Sequence, residues 1–244
     1  MIVDKLKASR LIAHRGASAY APENTYIAMH KANAMGATWV EFDVMLAGCG
    51  DAIIIHDHTL DRTTNGKGEV SKTPHSEILK LDAGSWFNPQ FADERVPTFV
   101  DLLQYLNEVR MDINVEIKPS DGNEVRTAEA VVKHLNEHWN LNDNPPLVSS
   151  QSLECLRVVN HLEPDWNLCC VIHNWDEEWY RWINEFGCVA ASVNQEILVP
   201  ELLRGLRTFL PLVLAYTVND AKRAMELYSM GVDAVFSDYP DLFI

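Results

Sequence analysis

The feature that most constrains this chain is a rhythm: short apolar runs of about five to seven residues recur between longer segments of helical period. That alternation is the pattern of successive βα units laid around a parallel sheet. Strands are expected at 10–14, 38–44, 52–56, 114–118, 147–149, 168–172, 189–193, 212–217 and 234–237, with the second and third read as one broken unit. Counted that way, about eight strands occupy 244 residues, close to the ~250 typical of a closed (β/α)8 barrel of TIM type. A doubly wound open sheet is the competing architecture. Pro22 is expected to open a helix over 23–36 that Gly36 closes, and Asn219 and Asp220 precede another that ends at Gly231. No Pro/Ser linker, charge block or short repeat divides the chain, so residues 1–244 read as a single α/β domain. The stretch 57–97 is polar, turn-rich and too long for an ordinary loop, which makes it a small insertion or lid after the second strand.

Charge narrows the partners. The chain has 20 Lys and Arg against 35 Asp and Glu, a formal net charge of −15, whereas binding nucleic acid requires a basic footprint that releases counterions. With 47% hydrophobic and 23% charged residues, the composition is globular and far from that of disorder. The five cysteines are odd in number, form no CxxC pair and are too sparse for a disulfide scaffold, so they read as reduced thiols. Neither a signal-type apolar segment nor a window approaching the ~18 apolar residues of a membrane span is evident, and the expectation is a cytoplasmic protein without stable membrane insertion.

Side chains alternate along a strand, so residues two apart share a face. In WVEFDVML this pairs Glu41 with Asp43, and in NVEIKP it pairs Glu116 with Lys118. Glu41 lies between Val40 and Phe42, and Glu116 between Val115 and Ile117, a setting that solvated faces seldom show. If these faces turn inward, three carboxylates and a lysine meet in the barrel, where burying charge is costly unless a metal neutralises it. An all-oxygen ligand set favours a hard divalent cation, Mg²⁺ or Ca²⁺, over zinc. His14 ends LIAH and His56 ends AIIIH, each followed at once by a charge. Barrel enzymes place reacting groups on the carboxyl rim of their strands, and two imidazoles there suit a general base and a general acid. Arg15 and Lys118 add cations to the same rim and point to a bound anion, with the guanidinium fork suited to phosphate oxygens.

Taken together these residues resemble the glycerophosphodiester phosphodiesterases. His14-Arg15-Gly16 followed by Pro22-Glu23-Asn24-Thr25 is similar to that family's opening signature, and Glu41-x-Asp43 to its first metal-ligand pair. His56-Asp57, with Leu60 and Arg62-Thr63-Thr64-Asn65-Gly66, resembles the segment with its second histidine; Val115-Glu116-Ile117-Lys118-Pro119 resembles the strand with its third acidic ligand. Thr217-Val218-Asn219, then Gly231-Val232-Asp233 through Ser237-Asp238-Tyr239-Pro240, is similar to the family's last two βα units. The resemblance implies a TIM-type barrel with an insertion after the second strand, a divalent metal on Glu41, Asp43 and Glu116, His14 and His56 as the acid/base pair, and Arg15 with Lys118 on the phosphate. It implies metal-assisted cleavage of a small-molecule glycerophosphodiester to sn-glycerol 3-phosphate and an alcohol, with either water or the glycerol 2-hydroxyl as nucleophile. Gln151 and Tyr216 stand where the family usually shows aromatic residues and Trp, which bears on substrate preference.

Competing signals are weaker. His134-Leu-Asn-Glu137-His138 matches a zinc pattern, but it lies on an outer amphipathic helix, where both histidines are expected to be exposed polar positions. Asp57-x-Thr59-x-Asp61 begins like a calcium loop but has Arg62 where the turn needs Gly. Gly66-Lys67-Gly68 lacks the spacing of a P-loop. Trp86 and Phe87 either cover the site or, the preferred reading, anchor the insertion. Rival functions are a barrel phosphodiesterase acting on intact phospholipids and a catalytically silent barrel that binds a phosphorylated metabolite. A metal-dependent amidohydrolase is weaker still, because the first strand has no HxH pair.

Overall fold

Eight parallel strands close on themselves in the computed structural model, which describes residues 2–243. They are β1 (Leu11–His14), β2 (Trp39–Leu46), β4 (Asp112–Ile117), β5 (Leu147–Ser150), β6 (Asn167–Ile172), β7 (Ala190–Asn194), β8 (Leu212–Tyr216) and β9 (Ala234–Ser237). Neighbours run β1-β9-β8-β7-β6-β5-β4-β2, and β2 pairs back with β1. The remaining strand, β3 (Ala52–Ile54), folds antiparallel onto the end of β2, so the broken second unit contributes one barrel strand and one hairpin arm. The architecture is a TIM barrel in a single domain. Among the described residues no helix is long and apolar enough to cross a membrane.

Alternation along the strands divides the core in two. One set of side chains packs outward against the surrounding helices, among them α4 (Phe99–Val109), α5 (Glu124–His138) and α6 (Leu153–Leu162). The other set points inward: Ile12, Trp39, Leu147, Cys169, Leu212 and Phe236 fill the lower barrel. The helix α1 (Ile2–Ser9) closes that lower mouth by seating Ile2 and Leu6 on the inward cluster. Higher up the lining turns polar, with Glu41, Asn114, Ser149 and Ser192 all buried. The floor is therefore dry and packed while the carboxyl rim is built for chemistry.

Local signals explain most element boundaries. The helix expected at 23–36 instead runs Tyr26–Ala34 (α2), because Asn24 adopts a left-handed φ of +58° and Thr25 accepts from the Ala28 N–H as N-cap. In α9 (Ala221–Met230) the expected ends hold: Asp220 accepts from the Arg223 N–H, and Gly231 takes the left-handed C-cap at φ +108°. The stretch between β3 and α4 carries its own apolar cluster, where Leu60, Val70, Ile78 and Val96 pack on Met45 and Ile53. Trp86 and Phe87 stack edge to face, and the Trp86 indole donates to the Ala83 carbonyl; neither lines the rim cavity described below.

Candidate active site

Strand register assembles the site. His14 lies beside Glu41 across β1 and β2, and Asp43 lies beside Glu116 across β2 and β4. The expected inward pairing of Glu41 with Asp43 is met, and one oxygen from each of Glu41, Asp43 and Glu116 falls within 4.8 Å of the others. A cavity of about 390 Å³ opens on the carboxyl rim, and His14, Arg15, Glu41, His56, Glu116 and Lys118 all line it. His56 reaches it by an unexpected route. It does not end a barrel strand but follows the antiparallel β3, whose continuation is tied to β2 where the Ile55 N–H donates to the Asp43 carbonyl at 3.1 Å.

The turn after β1 is shaped by close approach. Arg15 takes φ +54° and Gly16 φ +81°, and a Cβ on Gly16 would sit 2.6 Å from the backbone of Ala28. Only glycine fits there. The bend turns the Arg15 N–H onto Glu41 Oε2 at 3.0 Å while its guanidinium lies 3.3 Å from Asp43 Oδ2 and 2.8 Å from Glu23 Oε1. Lys118 Nζ lies 3.7 Å from Glu116 and 3.9 Å from Asp43.

The three acids are buried together and differ in how well they are compensated. Burial works against ionised Asp43, but Arg15, Lys118 and His56, with a hydrogen bond from Asn24 Nδ2 at 2.8 Å, hold its carboxyl below the usual range. Glu116 is pushed up to about 7 by burial and by the Asp43 charge, which Lys118 only partly offsets. Burial, then Asp43 and Glu116, drives Glu41 well above the carboxylate range, and its Oε1 is buried without a hydrogen-bond partner. A converging set of hard oxygen donors, with one buried oxygen left over, fits a divalent cation.

Both imidazoles are fixed from behind by carboxylates. Nδ1 of His14 lies 2.7 Å from Asp238 Oδ1, and Nδ1 of His56 lies 2.6 Å from Asp57 Oδ1. With Nδ1 so engaged, Nε2 is the free nitrogen on each ring. Burial opposes ionised Asp238, but hydrogen bonds from His14, Asn219 and Ser18 bring it down to about 2. Asp57 is held far below its usual range, first by the Arg62 fork. Burial lowers His56 against the pull of Asp43, which favours the neutral ring. Arg62 also clamps Glu23, at 2.6 and 2.8 Å, and Glu23 in turn receives Arg15. Glu23, Asp57, Arg62 and Asp238 carry no assigned role in the sequence: Asp57 is adjacent to His56 but has no spacing that marks it as its orienting acid, and nothing local reveals that Arg62 pairs with Glu23 39 residues away or Asp238 with His14 224 residues away. His173 carries none either, yet its ring lines the cavity with its Nδ1 3.5 Å from the Tyr216 hydroxyl.

A buried triad of acids, two carboxylate-backed histidines and two cations around one pocket is an arrangement for binding and cleaving a phosphate ester. Residues 14–242 match the profile of the glycerophosphoryl diester phosphodiesterase family. The chain belongs to that family. It is a phosphodiesterase of that kind, as the sequence resemblance implied. Glycerophosphodiester phosphodiesterases from Caldanaerobacter subterraneus and Bacillus subtilis are each 32% identical to it, covering 96% and 95% of this chain and 96% and 84% of their own. A phosphodiesterase of Oleispira antarctica, solved in complex with the product sn-glycerol-3-phosphate, superposes with a TM-score of 0.92 at 38% identity, over 95% of this chain and 94% of that one.

Proposed function

We propose that this phosphodiesterase hydrolyses small glycerophosphodiesters to sn-glycerol 3-phosphate and an alcohol, with His14 and His56 as the acid/base pair and Glu41, Asp43 and Glu116 holding a divalent metal. The observation that carries the reading is the convergence of two carboxylate-backed imidazoles and one buried acidic triad on a single rim cavity. The substrate class is supported by the family match and by the product bound in the Oleispira antarctica relative.

In this reading Arg15 and Lys118 bind the phosphate anion, since both are cations that line the cavity. Asp57 and Asp238 fix the tautomers so that each Nε2 turns to the substrate. One Nε2 takes the proton of the attacking hydroxyl, water or the glycerol 2-hydroxyl, and the other gives a proton to the departing alkoxide; where the 2-hydroxyl attacks, a cyclic phosphate forms and water then opens it to the monoester with the two roles exchanged. A bound divalent cation would supply charge neutralisation at a phosphate oxygen, and Mg²⁺ or Ca²⁺ suits the oxygen donors. We assign the enzyme to the cytoplasm, a reading supported by five free cysteines, four of them buried.

The test is a coupled glycerol 3-phosphate assay across choline, ethanolamine and glycerol diesters, before and after EDTA. Chelation should abolish product release and one added cation should restore it. His14→Ala and His56→Ala should each lower kcat by about 10²-fold or more, whereas Glu41→Ala should mainly lose metal. Near-normal turnover in the double histidine variant with metal present would overturn the assignment.

A further inference from the structure

The outer face of α5 brings together three potential metal ligands. His134, Glu137 and His138 are spaced i, i+3 and i+4, so they share one face of the helix. One donor atom from each lies within 4.8 Å of the others. The histidines are half-buried and not exposed. The His134 ring stands edge-on to Phe99, with centroids 6.0 Å apart, and stacks with His138 at 5.9 Å, so packing holds both rings beside each other. Neither imidazole spends a nitrogen on a hydrogen bond to the described residues, and His134 Nδ1 is buried without a partner. Glu137 Oε2 lies 3.7 Å from His138 Nε2. These residues form the last turns of α5, where the carbonyl end of the helix dipole attracts positive charge.

The geometry points to a second metal site on the outer face of the barrel, formed by His134, Glu137 and His138 and selective for a borderline transition ion such as Zn²⁺. Two imidazoles and one carboxylate match the three-ligand His/His/Glu sets that zinc accepts, with solvent completing a tetrahedron. That chemistry differs from the all-oxygen triad in the barrel mouth, which suits a hard ion, so the two sites should sort different metals. A metal joining residues four apart would also tie together the last turns of α5.

The experiment counts Zn²⁺ bound per chain by competition with a chromophoric chelator, on the full-length protein. A Glu41→Gln, Glu116→Gln variant, which weakens the barrel-mouth ligands, should still bind one Zn²⁺. Adding His134→Ala and His138→Ala should remove it. In the otherwise native chain, the two histidine substitutions should leave Mg²⁺- or Ca²⁺-supported diesterase activity unchanged, which shows that the variant folds. Substituting Co²⁺ for Zn²⁺ should give a visible d–d spectrum that the same two changes abolish. The proposal is overturned if the histidine variant, folded and active, keeps the same Zn²⁺ stoichiometry and Co²⁺ spectrum, or if the protein with weakened barrel ligands binds no Zn²⁺.

Discussion

One guanidinium joins the two halves of the site. Arg62 donates to both oxygens of Asp57, which pins His56, and to both oxygens of Glu23, which receives Arg15. Replacing it with Met leaves two carboxylates facing each other and unpins Asp57, the acid that orients His56, so kcat should fall by about 10- to 100-fold while the fold survives; steady-state kinetics with a thermal melt check this. Asp238, the residue after the last barrel strand, holds His14 directly. Its depressed pKa also links it to stability. The ionised form is favoured in the fold, so its contribution is present above its ordinary 3.8 and is lost as pH falls toward about 2. Asp238→Asn should therefore cost roughly 2 kcal/mol near neutrality and nothing below pH ~2, a gap that urea melts at several pH values would read. Such partners were invisible in the sequence for a physical reason. Strand parity exposes Glu41, Asp43 and Glu116 from a window of a few residues, but a hydrogen bond between residues 14 and 238 exists only once the barrel has closed.

Elements differ in how plainly the sequence announces them. The barrel strands were legible because apolar runs bounded by polar turns admit few alternatives, and α9 because Asp220 and Gly231 mark both its ends. The start of α2 was misplaced because Pro22 is a helix opener by statistics, while the backbone of Asn24 at φ +58° delays the helix to Thr25. His56 was expected at a strand end of the barrel and instead descends on the antiparallel β3, a reversal that an apolar run of three residues does not reveal. The helix α1 went unread, since eight residues with two apolar anchors look like an ordinary terminus. Those anchors nevertheless close the barrel floor, with Leu6 fully buried on the inward cluster. Leu6→Ala should destabilise the fold by about 2–5 kcal/mol, measured by chemical denaturation, and leave kcat of the folded enzyme near native because the site lies at the opposite mouth.

At the scale of the whole molecule, the acidic triad sets fold stability against function. Without a cation, Glu116 is pushed up to about 7 from its ordinary 4.5, so the fold binds a proton that the unfolded chain releases. A raised carboxyl works in the opposite sense to Asp238: its folded form is stable in acid, and stability is lost as pH rises from about 4.5 to about 7. Glu41, raised by the same burial and the same neighbours, acts in the same direction. A divalent cation bound there, as proposed, would replace those protons and remove the penalty, and by mass action it would stabilise only the state that binds it. The metal-free enzyme should therefore melt at progressively lower temperature between pH 5 and pH 7, while the cation-loaded enzyme should change little. Differential scanning fluorimetry in EDTA and in excess cation across that range measures the gap. A gap that widens with pH is expected if the triad is the metal site; a constant gap would mean that the cation binds elsewhere, and a Glu116→Gln variant, which cannot titrate there, should flatten the metal-free curve.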